Sequence, residues 1–149
     1  MLMKGVIFIM VDGLSKKEKA YFMAAKAVST LSNHKQKLGC VIVDGHKIIS
    51  SGHNSQTKCH SIQATIDKKF FQMDNCKGPI HAELDALLPL MRRKYNLSGA
   101  TVYVYRQNKS GSPAMAHPCP RCMEIIKACG IKKLKYTTAD GYAMEKLIY

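Results

Sequence analysis

Apolar positions recur along the chain with two different periods, and each change of period marks an element. Ala20, Tyr21, Ala24, Ala27, Val28 and Leu31 repeat at helical spacing. Just before them, Ser15-Lys16-Lys17-Glu18 has the spacing of a capping box. In that device the serine hydroxyl accepts from the third helical N–H and the glutamate reaches back. A helix opening at Ser15 is therefore expected. Cys40-Val41-Ile42-Val43 and Lys47-Ile48-Ile49 flank Asp44-Gly45, and an Asp-Gly pair between two β-branched runs predicts a hairpin. From Ser50 to Gly78 the chain is polar without a sustained period. It reads as a long functional loop or insertion, with a short helix over Ile66 to Met73 as an option.

His81 to Leu88 has a helical pattern, and Pro89 is expected to kink or restart that helix. Ala100 to Tyr105 alternates as a strand does, and Arg106 to His117 reads as a loop. Cys119 to Cys129 predicts a helix that Gly130 ends as its left-handed residue. Ile131 to Tyr136 predicts a further strand, and Tyr142 to Tyr149 a short helix or an edge strand. A strand–helix–strand succession implies a parallel pair joined by a right-handed crossover. The hairpin adds an antiparallel pair. The expected fold is α/β: a three-layer α-β-α sandwich on a mixed sheet, with an antiparallel hairpin followed by parallel strands. A chain of 149 residues with no internal repeat is expected to form one domain over 1–149.

Charge adds a partner class. Lys and Arg number 23 against 10 Asp and Glu, for a net charge of +13. That excess suits something anionic: a nucleotide, a nucleic acid or a membrane surface. The lysines are spread along the chain and their densest runs are short, as at Lys132, Lys133 and Lys135. A solvated basic surface is thus weighed slightly above a dedicated polynucleotide groove. The absence of Trp and the presence of only four Phe also leave few platforms for stacked bases, although seven Tyr could contribute.

Six cysteines turn attention to metal chemistry. The apolar stretch Gly5 to Val11 is short and ends in Asp12-Gly13 without a small-residue cleavage site, so neither a secretory leader nor a membrane span is expected. In a reducing compartment, thiols point to metal or catalysis more than to disulfides. Cys119 and Cys122 are three residues apart at a helix start, where they share one face and the positive dipole end favours thiolates. Two adjacent thiolates repel unless a cation lies between them, and zinc fits that role. Pro79-Ile80-His81-Ala82-Glu83 opens another helix. His81 can supply a neutral third ligand, leaving the open fourth position that catalytic zinc needs. Glu83 points to a different side of the helix and can move protons there instead of ligating.

His-x-Glu, followed a strand and a loop later by Pro-Cys-x-x-Cys, is the signature of zinc deaminases. With the hairpin, Gly52-His53-Asn54 and the Gly130-Ile131-Lys132-Lys133 helix exit, the chain from about Leu38 to Tyr136 resembles the cytidine and deoxycytidylate deaminase family. It is most similar to compact deoxycytidylate deaminases of the kind phages and large viruses carry. The resemblance implies a cytidine deaminase-like fold and zinc on His81, Cys119 and Cys122. It implies that Glu83 carries protons between an activated water and the cytosine ring. The Ala82 N–H would hold the base carbonyl, and Asn54 would meet a sugar hydroxyl.

The favoured reaction is deoxycytidylate to deoxyuridylate and ammonia. The alternatives are a polynucleotide deaminase, acting on single-stranded DNA or RNA, and an inactive zinc-stabilised nucleic-acid-binding module. Further implications are a small-molecule nucleotide substrate, no membrane partner, a homo-oligomer, and a cytoplasmic location (the host's, if virus-encoded). Asp85 stands where many relatives carry Asn. The longer Arg106–His117 segment, with Lys109-Ser110-Gly111-Ser112 at its centre, is either a phosphate cradle or a tip without a role. His117 could close the metal site as a fourth ligand. Cys59, His60 and Cys76, even with His53, do not make an evident set of four ligands, so one zinc per chain is expected over two.

Overall fold

The computed structural model describes residues 6–11, 13–56 and 80–147. Cys59, His60, Cys76 and the optional helix over 66–73 lie outside the described residues. Seven strands and three helices are seen within them: β1 Val6–Val11, α1 Lys16–Ser29, β2 Lys37–Asp44, β3 Lys47–His53, α2 Ala82–Arg92, β4 Ala100–Gln107, β5 Pro113–Ala114, α3 Pro120–Ala128, β6 Lys133–Thr138 and β7 Gly141–Leu147. The sheet runs β1-β7-β6-β4-β2-β3, with β5 hydrogen-bonded to β4 off this path. β4 and β6 are parallel, and the other neighbours are antiparallel. Among the described residues, no helix is long and apolar enough to cross a membrane.

Strand alternation divides the core in two. Val41, Val43, Tyr103 and Tyr105 pack with Phe22 and Ala25 of α1 on one face. Cys40, Ile42, Val102, Val104, Leu134 and Tyr136 face the opposite way, where α2 and α3 contribute Leu84, Leu87, Ile125 and Ile126. The mixed, three-layer arrangement is the one expected from sequence.

The capping box is present: Glu18 N donates to Ser15 Oγ and Ser15 N to Glu18 Oε1, each at 3.1 Å. The buried face of α1, however, is Phe22, Ala25 and Ser29, while Leu31 is 68% exposed. The expected stripe is rotated because Gly39 of β2 lies directly against the backbone of Ala25 and Ser29, where only small residues fit. The Asp44-Gly45 hairpin forms with Gly45 at φ 63°. Pro89 sits inside α2, which continues to Arg92 instead of stopping. One turn earlier, the Ala86 carbonyl accepts from Ser50 Oγ at 2.6 Å, which ties α2 to the β3 edge.

Two further expectations are corrected, and the sheet holds one strand more than expected at its β1 edge. The run at Val6–Val11 is a strand, paired antiparallel with β7. β7 is therefore enclosed between β6 and β1 and is not an edge. The segment after Tyr105 is a hairpin, since β4 continues through Arg106 and Gln107 and pairs with β5. Its tip is closed by Asn108, whose Oδ1 accepts from Ser110 N, Ser110 Oγ and Ser112 N. These groups, which a phosphate cradle would need, already hold a side-chain oxygen.

Candidate active site

Two helix starts converge at the carboxyl ends of β3 and β4. His81 is the N-cap of α2 and Cys119 the N-cap of α3, with Pro120 in the first turn of α3. The two side chains meet across the gap between the helix starts. β3 is tied to α2 by His53 N, which donates to Asp85 Oδ2 at 3.1 Å, and to β2 by Asn54 N, which donates to Leu38 O.

His81 Nδ1 lies 3.5 Å from Cys119 Sγ and 3.3 Å from Cys122 Sγ. All three candidate ligand atoms fall within 4.8 Å of one another. Tetrahedral zinc with its usual S and N bond lengths places such atoms about 3.6 Å apart, so the donor set and its spacing fit that ion. The other ring nitrogen, Nε2, is 2.8 Å from an Arg121 guanidinium nitrogen, so Nδ1 is the ring nitrogen that faces the sulfurs. The hydrogen bond from Cys122 is the largest influence on Cys119 and holds its thiol down at about 3; burial opposes this and His81 assists it. Cys119 in turn, together with burial, pushes the Cys122 thiol well up. Cysteines bind a divalent cation as thiolates, so metal binding at such a pair releases protons.

Glu83 is 3% exposed. Burial raises its carboxyl above the ordinary range, and the nearby His81 and a hydrogen bond involving Cys122 pull it only part of the way back. A buried carboxyl beside the candidate ligands has the chemistry to accept and return a proton. His81, Ala82, Glu83, Cys119 and Asn54 all border one cavity of about 280 Å³. Ala82 N belongs to the first turn of α2, where backbone N–H groups have no intrahelical acceptor. Asn54 is tightly anchored: Oδ1 accepts from Ser32 Oγ (2.6 Å) and Leu38 N (3.0 Å), and Nδ2 donates to Gln36 O (2.6 Å). One Nδ2 hydrogen is not used by these bonds.

His117 does not join the ligands. Its Nε2 is 2.8 Å from Glu145 Oε2 and its ring stands edge-on to Tyr136, so β7 and β6 hold it against the cavity wall. Among the described residues, the metal-ligating cluster is the three-residue set alone. Sequence reasoning missed Arg121, Glu145 and the position of Arg106. Carrying the β4 alternation two residues past Val104 would have placed Arg106 on the α2 side.

The family model for the cytidine and deoxycytidylate deaminase zinc-binding region matches residues 14–138. The chain belongs to that family. It is similar to the deoxycytidylate deaminase of Enterobacteria phage T2, with 34% identity over 97 residues, 64% of this chain and 44% of that protein. The deoxycytidylate deaminase of Enterobacteria phage T4 is 42% identical over 60 residues, 40% of this chain and 26% of that protein. The chain thus spans less than half the length of either phage relative. The crystal structure of apo dCMP deaminase from the cyanophage S-TIM5 superposes with a TM-score of 0.55 at 25% identity, covering 79% of each chain.

Proposed function

We propose that the protein is a zinc-dependent hydrolytic deaminase of a cytosine nucleotide, with deoxycytidylate as its favoured substrate. The supporting observation is the placement of the buried Glu83 carboxyl beside the His81–Cys119–Cys122 cluster, on one cavity. A purely structural metal site has no use for an acid there. The phage relatives named deoxycytidylate deaminases favour the nucleotide over the free nucleoside.

In this reading His81 Nδ1 and the sulfurs of Cys119 and Cys122 would hold the ion. Bound zinc supplies a Lewis acid that makes water a nucleophile at neutral pH. The Glu83 carboxylate takes a proton from water and delivers it to N3 of cytosine as the hydroxide adds to C4, then takes the proton of the new C4 hydroxyl and passes it to the departing amino group. The C4–N bond breaks, a C4–O bond forms, and ammonia leaves. The Ala82 N–H holds the base carbonyl, and the remaining Nδ2 hydrogen of Asn54 meets a sugar hydroxyl.

The test is to incubate the zinc-loaded protein with deoxycytidylate, cytidylate, cytidine and a cytosine-containing oligonucleotide, following ammonia and uracil. Turnover of deoxycytidylate is expected. Activity on unphosphorylated cytidine alone rejects the nucleotide, conversion only within the oligonucleotide indicates a polynucleotide deaminase, and no turnover at all indicates a binding module.

A further inference from the structure

We propose that Arg106 binds the phosphate of the free cytosine nucleotide and so sets the preference for nucleotide over nucleoside; this rests on the deaminase reading above. Arg106 is the last residue but one of β4. Its partner across the ladder is Leu38 of β2, which packs against the apolar core under α2 and α3. An arginine at the end of such a row is unlike the scattered surface lysines that make up most of the positive charge. It borders the same cavity as His81, Ala82 and Glu83. Among the described residues that border it, Arg106 is the only permanently charged cation and Glu83 the only acid.

Its guanidinium has little to hold it. One bond is seen, from an Nη to the Met115 carbonyl at a long 3.4 Å. Nε is buried without a hydrogen-bond partner. Neither ion pair described involves it. A buried, unsatisfied N–H costs free energy and needs an explanation. A guanidinium edge with Nε and an Nη free to donate matches two oxygens of one phosphate. The backbone around it is fixed: Arg106 N donates to Thr137 Oγ1 (3.1 Å), and Ala116 N to Thr137 O (2.9 Å). The arginine therefore stands on the rigid end of a central strand, at the carboxyl edge where open α/β sheets bind ligands.

The experiment compares the zinc-loaded wild type with Arg106→Gln and Arg106→Lys in two arms. The first measures kcat/KM for deoxycytidylate, deoxycytidine and a trinucleotide with a central deoxycytidine. The second measures binding of deoxyuridylate and deoxyuridine by calorimetry, which needs no turnover. Arg106→Gln is expected to lose about ten- to a hundredfold toward deoxycytidylate and deoxyuridylate. Deoxycytidine and deoxyuridine should change by less than about twofold, and Arg106→Lys should recover only part of the loss because it lacks the fork. Equal losses with and without phosphate overturn the proposal in favour of a structural role. An effect confined to the trinucleotide overturns it in favour of a strand phosphate. A protein that turns over nothing refutes the deaminase reading, yet the calorimetric arm still decides this one: wild type binding deoxyuridylate no tighter than deoxyuridine overturns it.

Discussion

Gly52 of β3 lies against the α2 backbone at Ala86, so closely that a methyl group placed on Gly52 would collide with Ala86 N and fall within 2.6 Å of the Ala82 carbonyl oxygen. The strand thus sets the height of the helix whose first residues are Ala82 and Glu83 and whose cap is His81. Gly52→Ala should push α2 outward, costing about 1–3 kcal/mol by overpacking. Because the helix carries one ligand of three, the variant should also hold zinc less tightly. Thermal unfolding and zinc titration measure the two effects, and a lower midpoint with unchanged zinc affinity would separate helix height from the site.

Glu83→Gln keeps the size of the side chain and removes its proton chemistry. Zinc stoichiometry is expected to stay at that of the wild type, because Glu83 is not one of the clustered ligands. Turnover is expected to fall by about 10²–10⁴. Metal analysis beside a steady-state assay checks both halves.

Removal of the metal should loosen the two helix starts together. An ion on His81, Cys119 and Cys122 would add strong bonds to the thiol, imidazole and guanidinium contacts across the gap. Chelation is expected to lower the unfolding midpoint by on the order of 10 °C, reversed by added zinc. Differential scanning calorimetry with and without chelator reads this directly.

Asn54→Ala leaves the Leu38 N–H, the Gln36 carbonyl and the Ser32 hydroxyl without their partner. A stability loss of about 2 kcal/mol or more is expected from buried groups left unpaired. Asn54→Asp retains the two bonds to Oδ1 and loses the donor to Gln36, so it should fall between the two. Denaturant titration ranks the three proteins.

The Lys135–Glu18 pair ties β6 to the start of α1 at 3.1 Å. Burial alone would raise the Glu18 carboxyl, but the Ser15 N–H and Lys135 outweigh it and leave it below the ordinary value. Burial would likewise lower the Lys135 ammonium, but Tyr103 and Glu18 outweigh it and leave it raised. Glu18 then contributes stability above its unfolded pKa, which is lost as pH falls through the lower folded value. Lys135 contributes below its unfolded pKa, and that is lost as pH rises through the higher folded value. Glu18→Gln should flatten the acid limb of a stability–pH profile by less than about 1 kcal/mol, because the pair is partly exposed.

The site was more legible in the sequence than the sheet around it. Cys119 and Cys122 announce themselves because three-residue spacing on a helix is a local rule, and Pro120 and Gly130 mark that helix at both ends. His81 and Glu83 are visible for the same reason. The β1 strand was not, because its register with β7 joins Val6 to Leu147 across almost the whole chain, and nothing local encodes that pairing. The α1 face was misplaced because Ala25 and Ser29 are chosen for smallness against Gly39, and hydrophobic periodicity does not see smallness. Arg106 was hidden by a strand end drawn two residues early. Its significance depends on the β2 partner that turns it toward the cavity.

X-ray absorption at the zinc edge on the purified protein bears most directly on the whole account. One zinc per chain is expected, with two sulfur neighbours at about 2.3 Å and the remaining neighbours nitrogen or oxygen at about 2.0–2.1 Å. A protein without zinc, or a zinc surrounded by four sulfurs, would contradict it.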